Sequence, residues 1–85
     1  MPFFAYILQC ADNTFYIGST NNVEKRVHTH NNLKSAAKYT KARRPVTLLY
    51  SEQVESYHEA RAREAQLKRM SRKEKEEFLK KINKE

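Results

Sequence analysis

The sequence predicts a small mixed domain, α/β in the broad sense and α+β in the strict sense. It consists of a three-stranded antiparallel sheet flanked by helices, in the order ββαβαα. Segments 3–10, 14–19 and 46–51 are rich in β-branched and aromatic residues, which favours strands. Three other segments combine N-cap signals with apolar residues at helical spacing. The 85 residues are 39% hydrophobic, enough for one core. We therefore expect one domain over residues 1–85, in which roughly the last ten (76–85) form a charged helical extension.

The first two strands are predicted to form a hairpin around Asp12-Asn13, which has turn chemistry. If Cys10 pairs with Thr14, Tyr6 lies opposite Gly18 and Leu8 opposite Tyr16. Side chains alternate between the two faces of a strand, so both tyrosines then share one face. Apolar side chains fill the other face: Phe3, Ala5, Ile7, Phe15 and Ile17.

The first helix is predicted to begin at Asn21 as N-cap, with Glu24 three residues later, and to end at Asn31-Asn32. Arg26 and His30 lie one turn apart on its inward edge. A guanidinium there could clamp a phosphate oxygen, and an imidazole could move a proton. The alternative is a packed helix edge from which both side chains reach toward water.

Two further helices are predicted to begin at the capping-box residues Ser56 and Ser71. The first of them carries an apolar stripe interrupted by Glu64, where a carboxylate is costly to desolvate. One explanation is an ion pair with a nearby cation, Arg61 or Lys68. The other is that Glu64 binds a divalent cation through oxygen. The stripe comprises Tyr57, Ala60, Glu64 and Leu67, and the last helix has Phe78, Leu79 and Ile82 as anchors.

Charge favours a polyanionic partner, because 17 Lys and Arg residues against ten Asp and Glu leave a formal net charge of +7. Five of these cations fall in a connector, residues 33–45, together with an aromatic residue. A segment that contacts phosphates and stacks on bases has this composition, and so does a solvated run of charge. The predicted nucleic-acid-binding residues are Lys34, Lys38, Tyr39, Lys41, Arg43 and Arg44.

Several classes of protein are disfavoured. The lone Cys10 excludes an internal disulfide and a cysteine-based zinc site, and its apolar neighbours indicate a core thiol. No run of 18 apolar residues occurs, so no membrane span is expected. The N-terminus has neither the basic start nor the full apolar core of a secretion signal, and we expect a cytoplasmic protein.

The order of these residues resembles the GIY-YIG nuclease superfamily. Phe4-Ala5-Tyr6 is followed after nine residues by Tyr16-Ile17-Gly18, then by Arg26 and His30 on one helix and Glu64 on a later one. More narrowly, the chain is similar to the small stand-alone bacterial members, the UPF0213 type. The segments that carry this narrower resemblance are 16–20, 37–40, 43–50 and 63–69, and the likeness runs from about residue 3 to residue 75.

The resemblance implies metal-dependent cleavage of a phosphodiester bond in nucleic acid, with DNA favoured over RNA and Mg²⁺ or Mn²⁺ as the cofactor. It assigns Glu64 to the metal and Arg26 to the charge that builds on the phosphate. Tyr6 and Tyr16 match the tyrosines of the two motifs. We expect one of them, preferably Tyr6, to orient or deprotonate the attacking water.

Two further positions follow from the same resemblance. Gly18 lets neighbouring groups approach closely on its face of the sheet. His30 is similar to a frequent polar position of the family.

The first motif, Phe-Ala-Tyr, lacks a glycine and an isoleucine. A nucleic-acid-binding domain with an idle centre is therefore the alternative function, and a protein-interaction module is disfavoured by the charge.

Overall fold

A computed structural model of the chain describes residues 2–33 and 38–82. The sheet is antiparallel throughout, with the strand order β2-β1-β3, which confirms the predicted fold class. A short helix in the connector was not predicted, and the third strand runs three residues past the predicted end. The elements are β1 (Phe3–Gln9), β2 (Phe15–Thr20), α1 (Val23–Asn32), α2 (Lys38–Lys41), β3 (Thr47–Val54), α3 (Tyr57–Arg69) and α4 (Arg72–Ile82).

The β1–β2 hairpin has the predicted register. The Cys10 N–H donates to the Thr14 carbonyl over 2.8 Å, and Tyr6 pairs with Gly18. Asn13 adopts φ 68°, a left-handed conformation that asparagine tolerates better than most residues. The Asp12 carboxylate accepts from the Thr14 N–H at 3.1 Å and from its hydroxyl at 2.6 Å. The local turn chemistry therefore fixes the pairing of the two strands.

The two faces of the sheet bury different side chains, also as predicted. On one face, Ala5, Ile7 and Ile17 pack with Leu67 of α3 and Leu79 of α4. The opposite face buries Tyr6, Leu8, Cys10 and Val46, with Tyr16 and Val27 of α1 packed against them. Cys10 is buried, which confirms the core thiol. Of the predicted helix residues, Tyr57 and Ile82 are instead exposed.

The α1 cap corrects one prediction, because Asn22 and not Asn21 is the N-cap. Its side-chain oxygen accepts from the Lys25 N–H over 3.1 Å, while its own backbone is extended. Strand β2 continues to Thr20 and leaves Asn21 as the link, so the helix begins one residue later. Ser56 and Ser71 cap α3 and α4 as predicted.

The C-terminal end of α1 is tied to the chain that leads into β3. The Arg44 guanidinium donates to the carbonyls of His30 at 2.5 Å and Leu33 at 2.6 Å. The side-chain amide of Asn31 bonds the N–H and the carbonyl of Val46. The last carbonyls of a helix have no partner inside it, so Arg44 satisfies the His30 carbonyl, while the Asn31 amide satisfies both backbone groups of Val46. No helix among the described residues is long and apolar enough to cross a bilayer.

Candidate active site

A chain of three polar side chains lies on the tyrosine face of the sheet. The Tyr6 hydroxyl is 3.1 Å from Nε2 of His30, and Nδ1 of His30 is 2.8 Å from Oγ1 of Thr40. The ring of Tyr16 packs against the His30 ring, with 4.9 Å between centroids and 62° between planes. Four elements, β1, β2, α1 and α2, therefore meet at His30, which is fully buried.

Burial determines the protonation states of His30 and Tyr6 in this hydrogen-bonded series. It lowers the pKa of His30 to about 4, with a further contribution from the guanidinium groups of Arg26 and Arg44. It also raises the pKa of Tyr6 to about 12, although the nearby Arg26 opposes that rise. Near neutral pH the imidazole is therefore uncharged and the phenol keeps its proton. Tyr6 is only 1% exposed, so solvent does not reach it directly.

Gly18 leaves room for Tyr6. A Cβ at this position would lie 2.5 Å from the Tyr6 hydroxyl oxygen and 2.7 Å from its Cζ, both well inside van der Waals contact. The phenol of Tyr6 thus crosses directly over the backbone of β2 at Gly18. Any side chain there would have to push the ring away from His30.

Glu64 approaches β2 from the opposite face. Its Oε1 accepts from the Ser19 hydroxyl at 2.8 Å and its Oε2 from the Lys68 ammonium at 2.7 Å. Ser19 follows Gly18 on the strand, so it points away from the tyrosines. Burial raises the pKa of Glu64, but the bonds from Lys68 and Ser19 outweigh it and leave the pKa below its usual value. The carboxylate is therefore ionised and 8% exposed.

Arg26 connects the two faces at the end of β2. It lies close enough to lower the pKa of both Tyr6 and His30. It also lines a cleft together with Ser19, whose hydroxyl holds Glu64. The side chains predicted for the site thus converge around one strand, from α1 on one side and α3 on the other.

The predicted connector cations fall into two groups. Lys38 and Lys41 are exposed on α2, and Lys34 lies outside the described residues. Arg43 pairs with Asp12 at 3.0 Å and its guanidinium carbon lies 3.9 Å from the centroid of Tyr39. Arg44 bonds the end of α1, as described above. Both arginines therefore hold the connector in place, and their role in binding nucleic acid stays a prediction.

Comparison with known proteins identifies the family. The GIY-YIG catalytic domain family matches residues 2–78. The chain belongs to the GIY-YIG family. A UPF0213 protein of Syntrophus aciditrophicus is 52% identical over 77 residues, 91% of this chain and 88% of that protein. UPF0213 protein YazA of Bacillus subtilis is 46% identical over 76 residues, 89% and 76% of the two chains.

Two solved structures resemble this GIY-YIG domain. The NMR structure of EF2693 from E. faecalis has a TM-score of 0.65 and 37% identity, over 100% of this chain and 90% of that one. The NMR structure of UPF0213 protein BH0048 from Bacillus halodurans has a TM-score of 0.60 and 36% identity, over 94% and 84%. The resemblance seen in the sequence is therefore confirmed at the level of family and fold.

Two residues of this GIY-YIG site were not predicted from the sequence. Ser19 holds the carboxylate of Glu64, and Thr40 bonds His30. The strand alternation that separates Ser19 from Tyr16 and Gly18 could have assigned it to the helix-packed face. Thr40 follows Tyr39 in a short helix that the sequence did not indicate; it ends segment 37–40 of the narrower resemblance, but no spacing rule connects it to His30.

Proposed function

We propose that this GIY-YIG domain is a metal-dependent endonuclease that hydrolyses phosphodiester bonds in nucleic acid, with DNA favoured over RNA. The observation that carries the proposal is the convergence of Glu64, Arg26 and the two tyrosines around β2. Within one site, an ionised carboxylate can hold a metal ion, a guanidinium can stabilise charge on phosphate, and a phenol can orient a water, which together suit phosphodiester hydrolysis. Membership in a family defined by a catalytic domain supports the same conclusion.

The residues fit a hydrated divalent ion. Among residues 2–33 and 38–82, no group of three or more His, Cys, Asp and Glu side chains could hold a metal, so an ion at Glu64 would take most of its ligands from water. Mg²⁺ is often held by one or two carboxylates while it keeps several waters, and Mn²⁺ accepts similar oxygen ligands. The Lys68 side chain is 55% exposed and can swing away into solvent. A bound ion would stabilise charge on the scissile phosphate and the leaving oxygen.

The protein groups then have distinct tasks. Arg26 donates to a non-bridging phosphate oxygen and stabilises the charge that develops there. The sequence favoured Tyr6 as the residue that orients or deprotonates the attacking water. Because Tyr6 is buried and Tyr16 is only half-buried, we assign this role to Tyr16. Tyr6 and His30 then act as positioning residues, because the His30 ring packs against Tyr16. The exposed lysines of α2 hold the nucleic-acid backbone.

The test is a cleavage assay with Glu64→Gln. Glutamine has the same shape; its carbonyl oxygen can accept from Lys68 while its NH2 donates to the Ser19 hydroxyl oxygen, so we expect the domain to stay folded. Cleavage of a panel of single-stranded, duplex, flapped and branched DNA and RNA should require Mg²⁺ or Mn²⁺, stop with chelator, and be lost in this variant. Glu77→Gln, a matched change at an exposed position of α4, should cleave normally. Wild-type turnover by Glu64→Gln would contradict the metal assignment.

One observation favours a second function, a nucleic-acid-binding domain with an idle centre. Both oxygens of Glu64 already have partners within the chain, and Tyr6 is closed to solvent. If this function is correct, nucleic acid binds with an affinity that is independent of metal, and no condition of the assay above yields a cut strand. Metal-dependent turnover would exclude it.

A further inference from the structure

An exposed aromatic residue lies in the cleft that Arg26 lines. This cleft has a volume of about 350 Å³ and lies at the C-terminal end of β2. Tyr57, at the start of α3, is 55% exposed there and packs edge-on against Phe3, with 5.6 Å between ring centroids. The Arg61 guanidinium lies 6.0 Å from the Tyr57 ring. The cleft therefore has an aromatic wall and two cations close to it.

A second cleft lies at the other end of the same strand. It has a volume of about 220 Å³ and combines aromatic side chains with two ammonium groups. Tyr39 is 38% exposed, and its ring centroid lies 6.1 Å from that of Tyr16. The cleft is lined by Phe15, Tyr16, Ile17, Tyr39, Lys68 and Lys75.

Glu64 lies between the two clefts. Its Oε1 bonds Ser19 of the first cleft, and its Oε2 bonds Lys68 of the second. Phe15 and Ser19 are four residues apart on β2, which is roughly 13 Å along a strand. A strand of nucleic acid whose phosphate meets Glu64 and Arg26 would thus have an aromatic cleft on either side of that phosphate.

We propose that the Tyr57 cleft binds an unpaired nucleobase next to the cleaved phosphate, so that the substrate strand is single-stranded at the cut. This inference rests on the proposed function, because it takes nucleic acid as the substrate. A base inside a duplex is stacked on its neighbours and offers no face to a protein ring. Aromatic side chains beside cations, along a track for phosphates, are typical of single-strand binding, which tolerates many sequences.

The experiment measures binding without turnover, in chelator, by fluorescence anisotropy. The probes are a labelled oligothymidylate, an abasic oligomer with the same number of phosphates, and a duplex of equal length. Tyr57→Leu keeps an apolar side chain but removes the ring, and Tyr57→Phe keeps the ring. His58→Leu, at the adjacent exposed position, is the matched control. Thermal melting verifies that each variant is folded, since Tyr57 also packs on Phe3.

We expect Tyr57→Leu to weaken oligothymidylate binding by about fivefold or more, which is the lower end of what one stacked base contributes. Binding of the abasic oligomer and the duplex should not change, and Tyr57→Phe and His58→Leu should bind all three probes as the wild type does. The inference is overturned if Tyr57→Leu binds oligothymidylate normally, if it weakens all three probes equally, or if the wild type does not bind oligothymidylate.

These outcomes separate the inference from the proposed function. A domain that binds through Tyr57 but never cleaves with Mg²⁺ or Mn²⁺ retains the base site and loses the nuclease function. A domain that cleaves in a Glu64-dependent way, but binds oligothymidylate equally well as Tyr57→Leu, retains the nuclease function and loses the base site.

Discussion

The ammonium nitrogen of Lys68 lies 2.7 Å from Oε2 of Glu64, one helical turn earlier on α3. With Ser19 on Oε1, the carboxylate has both oxygens engaged by the protein itself. A divalent ion that binds here must compete with the ammonium group. The same contact lowers the pKa of the carboxyl group and favours its ionised form, which is the form that the proposed metal site requires.

Lys68→Gln should therefore tighten binding of Mn²⁺ by about fivefold, because it removes one positive charge close to the ion. Mn²⁺ titration followed by electron paramagnetic resonance measures this directly and needs no substrate. Lys80→Gln, an equal loss of charge at an exposed position of α4, should leave the affinity unchanged. Weaker binding by Lys68→Gln would mean that the lysine assists the ion instead of competing with it.

The two tyrosines should respond differently to loss of the hydroxyl. Tyr16→Phe should lower the single-turnover cleavage rate by about 10²-fold, the usual loss for a group that handles a proton or orients a water. Tyr6→Phe should cost less rate but more stability, about 1–3 kcal/mol, since Nε2 of the buried His30 loses its partner. Cleavage rates and urea unfolding of both variants give the comparison. If Tyr6→Phe lost more cleavage rate than Tyr16→Phe, Tyr6 would be the residue that orients or deprotonates the water.

His30 should make stability depend on pH. Its pKa is about 4 in the fold against an ordinary 6.5, so the unfolded chain binds the additional proton between these values. Stability is then fully present above pH 6.5 and is lost as pH falls toward 4, by on the order of 1–3 kcal/mol. Urea unfolding across this range should show the slope. It should be smaller in His30→Gln and retained in His58→Gln, and equal slopes in all three proteins would contradict the buried neutral imidazole.

The connector cations should divide into binding and structural residues. Lys41→Ala should weaken nucleic-acid binding and lower the slope of log affinity against log salt by about one phosphate contact, with unchanged stability. Arg44→Ala should instead lower the free energy of unfolding by about 1–3 kcal/mol, because two carbonyls at the end of α1 lose their donor. Salt-dependent binding and urea unfolding of the two variants test this division. If Arg44→Ala were as stable as the wild type and had a reduced slope of log affinity against log salt, the wild-type Arg44 guanidinium would be a phosphate contact.

Local chemistry made much of the fold predictable. The pairing of Tyr6 with Gly18 followed from side-chain alternation and from turn residues within one hairpin. The cap of α1 was placed one residue early because Asn21 and Asn22 have the same side chain, and the end of β2 decides between them. Turns and helix caps were thus predictable to within one residue, although the short helix α2 was missed.

The site was less predictable, because its contacts join distant parts of the chain. Ser19 and Glu64 are 45 residues apart, and no spacing rule connects a strand hydroxyl to a later helix. Composition placed Arg44 among the phosphate-binding cations, but composition does not determine where a guanidinium points. For Glu64, helical spacing could not separate an ion pair from a metal ligand, and the structure has the ion pair with Lys68.

The position of β2 has a consequence for how copies of this domain behave together. It is an outer strand of the described sheet, and outer strands are templates for pairing with another chain. The side chains of the candidate site flank β2 on both faces of the sheet. A helix or loop that covered the edge of β2 would therefore also cover the site. If the proposed function is correct, strand addition at β2 would block the site while the domain stays folded. The positive charges of Arg26 and Lys75, which line the two clefts at β2, oppose such self-association and attract a polyanion.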